Sequence, residues 1–90
     1  MRYKNIQSFI LVAQPELQAA IDTANTINQR IDVFFAEFSQ WGGIESLALE
    51  REGNNYRIIA RTFASPYYSD VFQSISEGME QLNQLITRLS

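Results

Sequence analysis

Two long stretches with an apolar residue at every third or fourth position flank a segment rich in strand formers, and this layout constrains the chain most. The first stretch holds Leu17, Ala20, Ile21, Ala24, Ile27, Ile31, Phe34, Phe38 and Trp41; the second holds Tyr68, Val71, Phe72, Ile75, Met79, Leu82, Leu85, Ile86 and Leu89. Such spacing lays an apolar stripe along a helix, and each stripe must be buried against something. The first predicts a helix from Pro15 or Glu16 to about Gln40, a rod of roughly 39 Å. Glu16 then sits at the positive end of its dipole, and Gly42-Gly43 lie just past its C-terminus. Consecutive Val33, Phe34 and Phe35 imply that this helix is covered on more than one side near its end.

The second stretch predicts a helix opened by Ser65-Pro66, with Ser69-Asp70 as a later start. Asp70 and Arg88 suit the two ends of its dipole. Gly78 inside it costs about 1 kcal/mol relative to alanine. Either a close helix crossing or a tolerated surface position accounts for that glycine.

Between the stretches, Glu52-Gly53-Asn54-Asn55 is a turn signal joining two strand-like runs. Placing Arg51 opposite Tyr56 pairs Glu50 with Arg57, Leu49 with Ile58, Leu47 with Ala60 and Ile44 with Phe63. Opposite charges and apolar pairs coincide in that register, and a one-residue slip would turn one strand over. One face then carries Leu47, Leu49, Tyr56, Ile58 and Ala60 and should meet the helices; the wetter face carries Ser46, Ala48, Glu50, Arg57, Ile59 and Arg61. Residues 1–13 admit two readings. Ile6, Phe9, Ile10 and Ala13 continue the helical spacing, whereas the apolar run 9–12 ahead of Pro15 suits a buried strand. A lone hairpin is marginal and gains from a third strand, so strand is preferred.

The expected architecture is a small two-layer α+β domain spanning residues 1–90. A β-hairpin, with a third N-terminal strand if residues 1–13 are extended, packs against two long helices in the order β-α-β-β-α or α-α-β-β-α. Ninety residues make one domain with a small core. Chains of this size often add a disulfide, a metal or a second subunit. With no Cys and no His, thiolate sites and the commonest metal ligand are excluded, and dimerisation is the device that remains. A net charge of −3 with scattered Lys and Arg gives no basic face for phosphates, so no nucleic acid is expected. The apolar run behind Arg2 and Lys4 is too short to span a bilayer and short for a signal-peptide core, so no membrane partner and a cytoplasmic location are expected.

Catalytic constellations are lacking. A serine nucleophile would want an imidazole base, and there is none. Glu45 falls on the opposite strand face from Glu50 and Glu52, Glu50 pairs most simply with Arg57, and Glu77 and Glu80 suit an exposed helix face. No Gly-rich phosphate loop is present. The chain is therefore expected to be non-enzymatic, without metal or cofactor.

Partner-binding candidates are Trp41, Arg57, Arg61, Tyr67 and Tyr68. Arg57 and Arg61 project from one strand face about 13 Å apart, too far to clamp one carboxylate but able to line a groove for an acidic peptide or an anion. Trp41, Tyr67 and Tyr68 each have a polar tip that tolerates partial exposure at an interface. Trp41-Gly42-Gly43 resembles the Trp-x-Gly turn of the small secreted WXG helical hairpins. The resemblance stops at three residues, because a strand-like segment follows where those proteins turn into a second helix. The expected function is protein–protein interaction: an adaptor, regulator or chaperone-like homodimer that buries an apolar helix or sheet face against its partner. Two alternatives are a small-ligand sensor with an aromatic pocket near Trp41 and Tyr67 oriented by Arg61, and a structural subunit of a phage or other particle.

Overall fold

The structure is a computed structural model describing residues 2–27, 29–41 and 43–89, with backbone alone at Gln40 and Trp41. Its elements are β1 (Arg2–Tyr3), α1 (Ile6–Ile10), α2 (Ala13–Asn25), β2 (Ile31–Trp41), β3 (Ile44–Glu52), β4 (Asn55–Thr62), β5 (Tyr67–Tyr68) and α3 (Ile75–Leu89). The strands form one mixed sheet in the order β1-β2-β3-β4-β5. β1 runs parallel to β2, and the other neighbours are antiparallel. This overturns the expected hairpin on two long helices. Strand occupies far more of the chain, and the first long helix is only half as long as its stripe suggested.

α2 stops at Asn25 because its last turn is poor in helix formers and tied back on itself. Thr23 Oγ1 donates to the carbonyl of Ala19 at 2.9 Å, and Thr26 Oγ1 to that of Thr23 at 2.7 Å. The β-branched and aromatic residues that follow form β2 instead. Its register explains why it imitates a helix. Phe34 opposes Ala48, yet Ala36 already opposes Leu47, so one extra residue is inserted as a bulge. Ile31, Val33 and Phe35 point to the core before the bulge, and Ala36 and Phe38 after it. That slip destroys the two-residue alternation by which a strand would have been recognised.

At the N-terminus the preference for strand over residues 9–12 is overturned, and the helical alternative holds over Ile6–Ile10. Asn5 caps α1, its side chain accepting from the Ser8 amide at 2.9 Å, so Phe9 lies in a helix, and among the described residues ahead of it the strand is limited to Arg2–Tyr3. α2 begins at Ala13, which leaves Pro15 in a first turn that needs no amide donor. α3 opens at Ile75 and not at Ser65-Pro66 or Ser69-Asp70. Ser74 Oγ accepts from the Glu77 amide at 3.2 Å and donates to its carboxylate at 3.0 Å, with the Ser-x-x-Glu spacing of a capping box. The segment before it lies along the edge of β4. Tyr68 opposes Ile59, and Ser69 exchanges 2.8 Å bonds with the Ile58 backbone through its amide and hydroxyl. Tyr56 and Phe72 exchange two backbone bonds of 2.9 Å.

The β3–β4 register follows the side-chain argument from Arg51↔Tyr56 through Leu47↔Ala60. At the base an irregularity between Ile44 and Ser46 makes Thr62, not Phe63, the partner of Ile44. Gly53 takes φ +63° in the two-residue turn, where a side chain would be strained.

All three helices lie on one side of the sheet. Phe9, Leu17, Ala20, Leu82 and Leu85 pack on Phe35, Phe38, Leu47, Leu49, Ile58 and Ala60. Gly78 marks a close approach, since a methyl group there would lie 2.7 Å from the Phe72 ring and 3.1 Å from Leu17. No helix among the described residues is long and apolar enough to cross a membrane.

Candidate interaction surface

Strand pairing sorts the outward side chains into three rows. Phe34, Ala48, Ile59 and Tyr68 form an apolar row across β2 to β5. Asp32, Glu50 and Arg57 form a charged row on one side of it, and Glu37, Ser46 and Arg61 the row on the other. Cross-strand neighbours share a face, so these side chains meet directly. No helix covers them, yet Ser46, Ala48, Glu50 and Ile59 are buried.

The arginines are the cover. Arg57 reaches Glu50 at 2.8 Å with its guanidinium 4.7 Å over the Tyr68 ring. Arg61 crosses from β4 to β2, where it lies 3.4 Å from Asp32 and 5.0 Å over the Phe34 ring. Arg30 adds a second cation at 3.2 Å from Glu50. Each guanidinium is thus paired with a carboxylate inside the domain, which leaves it poorly suited to hold a free anion.

Glu50 is the hub. Burial alone would raise its pKa, but the hydrogen bonds and charges of Arg57 and Arg30 outweigh that and hold it below the ordinary 4.5. A carboxyl depressed on folding contributes stability that is present above its unfolded pKa and lost as pH falls through the folded one. Glu50→Gln should therefore cost about 1–2 kcal/mol at pH 7. It should also flatten the decline in stability below pH 4.5. Urea denaturation of both proteins between pH 7 and 3 checks this, and parallel acid limbs would refute it.

The five candidate residues are not gathered into one site. Arg57, Arg61 and Tyr68 share the open face. Tyr67, its neighbour along the strand, lines a separate apolar cleft of about 230 Å³ with Ile44, Thr62, Phe63 and Leu89. Arg61 is not among the residues of that cleft. The side chain of Trp41 lies outside the described residues. Phe34, 63% exposed, belongs to the face although the sequence did not single it out. Its signal was the triplet Val33-Phe34-Phe35, which in a strand must put one apolar residue outside.

The sheet also has an unpaired margin. β2 pairs with β1 only at Glu37 and Phe38, so among the described residues no strand pairs with residues 31–36 on that side. The far edge of β4 is covered over 56–60 by the segment 67–72. Open edges usually carry charges, Pro or a bulge to discourage pairing; residues 31–36 have neither Lys nor Pro, but Asp32 and the bulge between Phe34 and Ala36 serve that end. Together these features define a small α+β domain with one helical layer, one bare sheet face and one half-open edge. Comparison with models of protein families, with curated proteins and with solved structures finds no match to this chain.

Proposed function

We propose that this chain is a non-enzymatic protein–protein interaction module, an adaptor, regulator or chaperone-like protein that works as a homodimer in the cytoplasm. The observation that carries the reading is the helix-free sheet face. Phe34 and Tyr68 stand 63% and 44% exposed on it, and its charges are neutralised in place by Arg57–Glu50 and Arg61–Asp32 pairing. Covering such a face removes exposed rings from water without stranding an unpaired charge. The helices do not supply the contact, because Leu82 and Leu85 are spent in the domain's own core.

Sedimentation velocity at rising protein concentration tests the reading. The expected result is a dimer of defined mass that persists on dilution to micromolar concentration. A strictly monomeric protein throughout would refute it.

A further inference from the structure

We propose that residues 63–71 form a strap, hinged at Thr62 and Phe72 and latched by Ser69, whose opening lifts Tyr68 off the bare sheet face while the rest of the domain stays folded. The inference rests on the interaction reading of that face and supplies its regulation.

The strap has almost no apolar anchorage. From Phe63 to Val71 every residue is exposed except Ser69, and Phe63 and Val71 stand 83% and 57% exposed. Hydrogen bonds therefore hold it, and these exchange with water at little net gain. Towards β4, the Ser69 amide donates to the Ile58 carbonyl and the Ser69 hydroxyl accepts from the Ile58 amide, both at 2.8 Å. Towards α3, Arg88 Nη2 donates to the Tyr68 carbonyl and Gln81 Oε1 accepts from the Asp70 amide, both at 3.0 Å and exposed. A gap of about 30 Å³ lined by Ser69, Gln84 and Leu85 leaves the strap loosely packed on that helix.

The ladder to β4 is itself broken. Ser69 bonds Ile58 and Phe72 bonds Tyr56, so Asp70 and Val71 together stand against Arg57 alone. A side-chain hydroxyl takes the place of a backbone carbonyl as the acceptor at Ile58. Both ends of the strap are fixed. Thr62 Oγ1 accepts from the Ala64 and Ser65 amides and donates to the Ser65 carbonyl at 2.7 Å, and Phe72 is 1% exposed in the core. Segments with few buried contacts and exposed hydrogen bonds open before the fold as a whole does.

Tyr68 couples the strap to the face. Its ring lies 4.7 Å from the Arg57 guanidinium and ends the apolar row of Phe34, Ala48 and Ile59. Opening removes that ring and leaves Arg57 with Glu50. The face is complete only when the strap is latched, so covering the face and closing the strap favour each other.

Amide hydrogen exchange on the full chain tests this. Neighbouring amides along β4 bond alternate sides, so Ile58 and Ala60 report on the strap and Arg57 and Ile59 on β3. After correction for intrinsic rates, Ser69, Ile58 and Ala60 should exchange about a hundredfold faster than Arg57 and Ile59. Ser69→Ala should accelerate the strap-side set about tenfold further, and the exposed Arg88→Ala should accelerate the same set about threefold. Raising protein concentration into the dimer range should slow that set selectively. Equal protection on the two sides of β4 overturns the strap, and acceleration by Ser69→Ala spread evenly over all amides overturns the latch. A dimer that leaves strap exchange unchanged overturns the link to the face. A monomer with the expected rates overturns the interaction reading and leaves the strap standing.

Discussion

Phe72→Ala should lower the stability of this domain by about 3–5 kcal/mol, a large share of what a chain of this size possesses. Phe72 is 1% exposed and sits where the edge segment turns into α3. Its ring stacks on Tyr56 with centroids 5.8 Å apart at 27°, and its backbone exchanges two hydrogen bonds with the same residue. The ring also fills the space over Gly78, 2.7 Å from where a methyl group would stand. Gly78→Ala alone should therefore destabilise, since overpacking of about 1–3 kcal/mol exceeds the roughly 1 kcal/mol returned by helix propensity. Combined with Phe72→Ala, the same methyl enters a cavity and its effect should turn favourable. A double-mutant cycle by urea denaturation measures this coupling. Additive costs would mean that the ring and the glycine do not share the space.

Phe9→Ala should cost a similar amount, about 3–5 kcal/mol, with a different local consequence. Phe9 is fully buried and meets the rings of Tyr3, Phe38 and Phe35 at 5.3, 5.7 and 6.0 Å. It is the main anchor of a five-residue helix, which is too short to hold itself. Without it α1 should loosen, and with it β1, whose pairing to Glu37 and Phe38 and the 3.3 Å bond from the Ser39 hydroxyl to the Tyr3 carbonyl depend on that anchor. Hydrogen exchange should accelerate across residues 37–39 before the rest of β2 responds. Uniform acceleration over the whole sheet would show that α1 does not guard the edge locally.

The face built around Glu50 and Arg57 is legible in the amino-acid order, because opposite charges and apolar pairs coincide in only one hairpin register. The share of strand is not. Residues 31–41 carry apolar side chains at steps that suit a helix, and the bulge at Phe35 and Ala36 hides the alternation that would have corrected this. The true start of α3 was available in the Ser74-x-x-Glu77 spacing, but Ser65-Pro66 offered an earlier cap. Ser69 decided against it by bonding both polar groups of Ile58 along the β4 edge. Arg61 was placed on the right face, but a partner in Asp32 required knowing that β2 is a strand at all.

Local chemistry in the chain dictated the β3–β4 hairpin, its turn at Gly53 and the sidedness of Arg57 and Arg61, because cross-strand pairing and glycine's backbone freedom act between close neighbours. Tertiary structure alone decided that residues 31–41 extend the sheet, that one face stays bare and that one edge stays half open. Those outcomes depend on contacts between segments distant along the chain, and there the apolar residues of 31–41 gain more by completing a sheet over α2 than by prolonging it.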